Sequence, residues 1–195
     1  MNSIKKYIKH LTPMIVFIFA LSGCSDNSSS TTSSDEHFGY ISLTVTGAID
    51  AVHECDNSPG CVVSFGRSQF EIGNNTYYTW LIESGDYTSF LPFEISTTSI
   101  NTAVSRPSPG TYDIGSEMAP SFSAGYSNIE GGLNDDHSYE TTNQTGGTLT
   151  IESSTNERVT GSFEFTAVHI DEGNSQTVTI SGRFEAVSED ILDNF

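Results

Sequence analysis

Apolar and polar residues alternate with a period of two through most of this 195-residue chain, which commits it to strands. From Tyr40 to Ile49, the residues Ile41, Leu43, Val45 and Ile49 alternate with Ser42, Thr44 and Thr46. Between Arg158 and Ile170, one face collects Val159, Phe163, Phe165 and Ala167; between Thr177 and Val187, one face collects Val178, Ile180, Phe184 and Ala186. Successive side chains of a strand point to opposite sides, so each segment has one face for a core and one for water. The first segment continues to Cys55, and further extended segments run from Cys61 to Ile72, Thr76 to Glu83, Tyr87 to Ser96, Ser99 to Ser105, onward from Gly110, and from Thr148 to Ser153. Gly73-Asn74-Asn75 and Ser84-Gly85-Asp86 read as turns, Pro107, Pro109 and Gly110 as a break, and Pro92 as an edge or a bend. No stretch keeps a helical period. The expected fold is all-β, a single antiparallel sandwich or barrel of about 8–10 strands. Matching the apolar faces of the last two segments sets Phe163 opposite Phe184, and Glu164 opposite Arg183 on the wet side.

The first 24 residues follow a different rule. Lys5, Lys6 and Lys9 lead an apolar stretch from Leu11 to about Ala20, and Leu21-Ser22-Gly23-Cys24 closes it. This order is that of a secretory signal, and the apolar run is about half the ~20 residues a spanning helix needs. Leu-Ser-Gly-Cys resembles the lipobox of bacterial lipoproteins. The resemblance implies cleavage before Cys24, lipidation of Cys24, and an address in the bacterial cell envelope. With Ser25 rather than aspartate after the cysteine, it implies the outer membrane. Each buried methylene of the acyl chains contributes about 0.8 kcal/mol to anchoring. The polar run from Ser25 to Glu36 has nothing to bury and reads as a tether with a reach of about 20 Å. The expected organisation is a signal peptide over 1–23, lipidated cysteine and tether over 24–37, a β-domain over 38–188 and a tail over 189–195.

Charge narrows the function. All three lysines precede the cleavage point, so the mature chain holds four arginines against 25 acidic residues, a net of −21. Nucleic acid and anionic lipid surfaces need a basic footprint, which is missing. Without lysine there is no Walker-type, Schiff-base or Ser-x-x-Lys chemistry. Acidity of this degree serves either solubility or attraction to a cation or a basic protein.

Four segments carry a second resemblance: Gly110-Thr111-Tyr112, Gly146-Gly147-Thr148-Leu149-Thr150-Ile151, Val159-Thr160-Gly161-Ser162-Phe163-Glu164-Phe165-Thr166-Ala167 and Val178-Thr179-Ile180-Ser181-Gly182-Arg183-Phe184. In this order they resemble a group of bacterial envelope lipoproteins that has no established activity. The resemblance covers mainly the last 85 residues. It implies the fold and the address and carries over no catalytic residue.

Candidate sites are few. Cys55 and Cys61 flank Asp56-Asn57-Ser58-Pro59-Gly60, which is turn chemistry, and in an exported chain they are expected to form a disulfide. The loop from Gly131 to Glu140 clusters Asn134, Asp135, Asp136 and Glu140, oxygen donors of the kind calcium takes, although the spacing fits no established calcium motif and a solvated turn is the simpler reading. No other cofactor is implied. Tyr78 and Trp80 share a strand face and suit either an exposed row that stacks on a glycan or protein, or the core. Gly-x-Ser-x-Gly and His-Glu-x-x-His are absent, and a hydrolase would need His137 or His169 to meet a carboxylate in a pocket. The sequence therefore points to a non-enzymatic envelope lipoprotein that binds or organises an envelope protein or glycan. An acidic inhibitor that captures a basic protein is the alternative, and a small hydrolase the third reading. Oligomeric state is not legible.

Overall fold

The computed structural model describes residues 38–56, 61–86, 89–115, 118–128, 137–171, 173 and 175–189. The signal segment, Cys24 and the tether lie outside them. The described residues belong to one compact unit, Asp35–Phe195.

Eleven strands follow one another: β1 (Tyr40–Gly47), β2 (Ala51–Asp56), β3 (Cys61–Ile72), β4 (Asn75–Asp86), β5 (Ser89–Ile100), β6 (Gly110–Ile114), β7 (Ser123–Asn128), β8 (His137–Glu140), β9 (Gly147–Ser154), β10 (Arg158–His169) and β11 (Thr177–Ser188). The all-β expectation holds, with one strand more than the upper estimate.

The hairpin of β10 and β11 organises the rest. On its outer edge β11 first pairs antiparallel with β1, along Val178 to Glu185. It then pairs parallel with β3 at Val187 and Ser188. The outer edge of β10 divides in the same way, taking β9 from Val159 to Phe165 and β8 at Val168 and His169. The sheet order β2-β1-β11-β3-β4-β5-β7-β8-β10-β9-β6 therefore closes on itself through the β10–β11 pairing. Two layers result, β2-β1-β11-β10-β9-β6 and β3-β4-β5-β7-β8, joined at the two opposite ends of the central hairpin. Closure of this kind protects most strand edges.

The inward faces fill the space between the layers. Ile41, Leu43, Val45, Phe163, Phe165, Val178, Ile180 and Phe184 come from the first, and Val63, Trp80, Ile82, Phe93, Ile95, Tyr126 and Tyr139 from the second; all are buried. The Phe93 ring from β5 stacks on Phe163 from β10 with centroids 4.5 Å apart, and Trp80 meets Phe122 edge-on at 6.1 Å.

The segment expected to run on from Tyr40 to Cys55 folds back as the β1–β2 hairpin, and Ser84-Gly85-Asp86 lies within β4 rather than at a turn. Two further expectations need correction. Across β10 and β11, Phe184 faces Gly161 and Phe163 faces Gly182, two residues away from the expected register. Glu164 consequently faces Ser181 and Arg183 faces Ser162. Period two fixes which face is buried, and a slip of two residues preserves it. Second, Ser99–Ser105 is no separate strand. β5 runs to Ile100 and ends at Asn101, whose φ of 58° is left-handed and whose Oδ1 accepts the Thr76 N–H at 2.8 Å. Pro92 lies in β5 where the β4–β5 register shifts and outside the β7 pairing that starts at Phe93, so a bend and a local edge both fit the proline.

Candidate functional site

The outward face of the β3-β4-β5-β7-β8 layer gathers carboxylates into one cross-strand row. Because Ile82 and Ile95 face each other in the core, the next pair, Glu83 and Glu94, points outward. The row continues to Gly125 on β7 and Glu140 on β8. On the other side Glu83 faces Ser64 of β3, and the Glu189 carboxylate occupies the space a β-carbon at Gly66 would fill. Like charges directly opposed across a ladder repel. Burial, together with the carboxylates of Glu189 and Glu94, pushes Glu83 up to about 7, against a hydrogen bond from Ser64 that favours the charged form. Gly125 leaves the space beside Glu94 open, since a β-carbon there would come within 4 Å of only one atom, the Tyr139 carbonyl oxygen at 3.8 Å. Glu94 and Glu140 are exposed. The arrangement suits a cationic group laid across the strands.

Sequence reasoning missed Glu83 and Glu94. A signal exists in the inverted repeat Ile82-Glu83 … Glu94-Ile95, but the irregular pairing near Pro92 displaces the hairpin axis from any simple turn at Ser84-Gly85-Asp86.

The anticipated residues are placed as follows. Cys55 and Cys61 form a disulfide that links the end of β2 to the start of β3. Trp80 is fully buried and packs against Phe65 and Phe122, and Tyr78 is half-buried, so the exposed aromatic binding row is replaced by the core alternative. Asn134, Asp135 and Asp136 lie outside the described residues, whereas Glu140 ends β8 as the last member of the acidic row. Among the described residues no group of three or more histidine, cysteine or carboxylate side chains is placed to hold a metal.

The two histidines whose side chains are described, His53 and His169, pack into the interior. His53 of β2 reaches across the layers, its Nε2 2.7 Å from the Tyr126 hydroxyl of β7. His169 ends β10, buried edge-on against Tyr139, and its Nδ1 accepts the Asp171 N–H at 3.2 Å. The Asp171 carboxylate is 3.7 Å from the same nitrogen but largely exposed to water. The side chain of His137 lies outside the described residues. A depression of about 390 Å³, lined by Asp113–Gly115, Ser121 and Thr142–Gly146, includes no histidine.

Residues 93–188 match the family described as a domain of unknown function, DUF6252. The match takes in a little under half of the chain. It starts at Phe93, the ring stacked on Phe163, and runs from within β5 to the end of β11. No curated protein and no solved structure matches the chain.

Proposed function

We propose that this chain is a non-enzymatic lipoprotein, held at the outer membrane through Cys24, whose β-domain binds a basic segment of another envelope protein. The observation that carries the reading is the row of Glu83 and Glu94, directly opposed on an outward sheet face and continued by Glu140. A guanidinium or ammonium group placed over it would relieve the repulsion and let Glu83 ionise. The mature charge of −21 adds long-range attraction for such a partner. The tether allows the domain to reach a partner just off the membrane.

Crosslinking in intact cells, followed by capture of the lipidated chain at low and high salt, tests this reading. A basic envelope protein should be recovered at low salt, and it should be lost both at high salt and with Glu83→Gln/Glu94→Gln. Recovery indifferent to salt and to that double variant would refute the acidic face as the binding surface. The calcium reading rests on the Asn134–Glu140 loop, and a melting temperature unchanged by EDTA would remove it.

A further inference from the structure

β3 has a free edge. The main-chain groups of Thr76 face β5, since its carbonyl accepts the Asn101 N–H at 2.7 Å. Its partner across the β3–β4 ladder, Glu71, therefore forms a pair without hydrogen bonds to β4, and its own N–H and C=O point away from that strand. Alternation along the strand gives the same orientation to Gln69, Arg67, Phe65 and Val63. Val63 agrees, because its N–H donates to the Phe38 carbonyl at 2.8 Å on that side. β11 covers Ser64 and Phe65 and goes no further. Among the described residues no strand pairs with the edge groups of Arg67, Gln69 and Glu71, and Arg67–Ile72 are all exposed.

This edge lacks most of the usual protections. It contains no proline, no lysine and no bulge within its β4 pairing, and it ends in a tight turn with Gly73 at a φ of 64°. Phe70 and Ile72 are about half exposed, and the Phe70 ring stacks on Tyr77 at 5.1 Å. On an acidic chain the segment Arg67–Ile72 is balanced, with one cation and one anion four residues apart.

We propose that the free edge of β3 pairs antiparallel with the same edge of a second copy of this chain, about a two-fold axis at Gln69. Centred there, the outward groups of each strand meet in register, and Arg67 faces the partner's Glu71 twice, once on each side of the axis. A two-fold contact is self-complementary in this way, with each residue answered by its counterpart. On the opposite face Phe70 lies beside the partner's Ser68 and diagonal to the partner's Phe70, extending the Phe70–Tyr77 stack across the junction. Centring one residue further on would set Phe70 against the partner's Phe70 but would leave Arg67 facing the partner's Gly73. Charge complementarity selects the register at Gln69.

The test uses the full lipidated chain in intact envelopes. Gln69→Cys treated with a short bis-maleimide should give a species of doubled mass, whereas Val52→Cys, 68% exposed on β2, should not. Adding Arg67→Glu should lower the crosslinked fraction about tenfold, through two repulsive pairs, and Arg67→Glu/Glu71→Arg should restore it. These residues are exposed, and unchanged circular dichroism will show that the fold is kept. Crosslinking at Gln69→Cys no greater than at Val52→Cys, or indifferent to Arg67→Glu, would overturn the proposal and leave the edge to an unlike strand.

Discussion

The ring of Phe184 lies against Gly161, its direct partner across the β10–β11 ladder, and takes the space a side chain at that position would use. The relation is reciprocal two residues along, where Phe163 faces Gly182 and a β-carbon would come within 2.8 Å of its ring. The two phenylalanines meet diagonally, with centroids 6.3 Å apart. Each large ring thus sits on a glycine, and the register of the central hairpin follows from that fit.

Gly161→Ala is accordingly expected to destabilise the domain. Its β-carbon would meet the Thr150 carbonyl oxygen as well as Phe184, at the point where the β9–β10 register shifts. Overpacking against backbone costs about 1–3 kcal/mol. Urea unfolding measures it; an unchanged midpoint would mean that β9 yields without cost.

That hairpin shows what a single sequence displays. The faces of Val159, Phe163 and Phe165, and of Val178, Ile180 and Phe184, were legible because burial repeats every second residue. Register was not, because it depends on which ring a glycine admits. The Cys55–Cys61 bridge was legible from spacing and compartment. The acidic row was not, since the register shift in the β4–β5 ladder hides the Glu83–Glu94 pairing and β7 stands between Glu94 and Glu140.

Glu83 gives the domain a pH dependence of known sign. Its carboxyl titrates at about 7 in the folded state against 4.5 as the reference. Between these values the folded chain holds a proton that the unfolded chain has released. The contribution is full below pH 4.5 and is lost as pH rises to about 7. Glu83→Gln should therefore stabilise the protein at pH 8, by roughly 1 kcal/mol after solvent screening, and leave it unchanged at pH 4. Thermal melts at the two pH values decide; an equal gain at both would assign the effect to packing.

The hydroxyl of Tyr139 is buried with no hydrogen-bond partner, and burial raises its pKa. Its cross-strand neighbour Tyr126 has one in His53. An unpaired buried hydroxyl costs about 1–3 kcal/mol, whereas removing it costs little packing. Tyr139→Phe should raise stability by about 1 kcal/mol and Tyr126→Phe should lower it by a similar amount. Denaturant curves of the two variants should move in opposite directions, and a loss with Tyr139→Phe would show that its hydroxyl is satisfied in solution.

The disulfide supplies a last test, because it closes a short loop between two strands that have few other direct ties. β2 pairs with β1, and β3 pairs with β4 and, briefly, β11, so Cys55–Cys61 is the covalent link between neighbours that share no ladder. On the chain-entropy account, a loop of this length restricts the unfolded chain by about 2 kcal/mol. Reduction should lower stability by about that amount without dissolving the core, since β2 keeps its six-residue pairing with β1 and His53 keeps Tyr126. Cys55→Ala/Cys61→Ala should behave like the reduced protein, with a further loss because Cys55 is 2% exposed and its removal leaves a void. Urea unfolding of oxidised, reduced and doubly substituted protein would separate the two contributions. If reduction had no effect, the chain between β2 and β3 would already be held in the unfolded state by something other than the bridge.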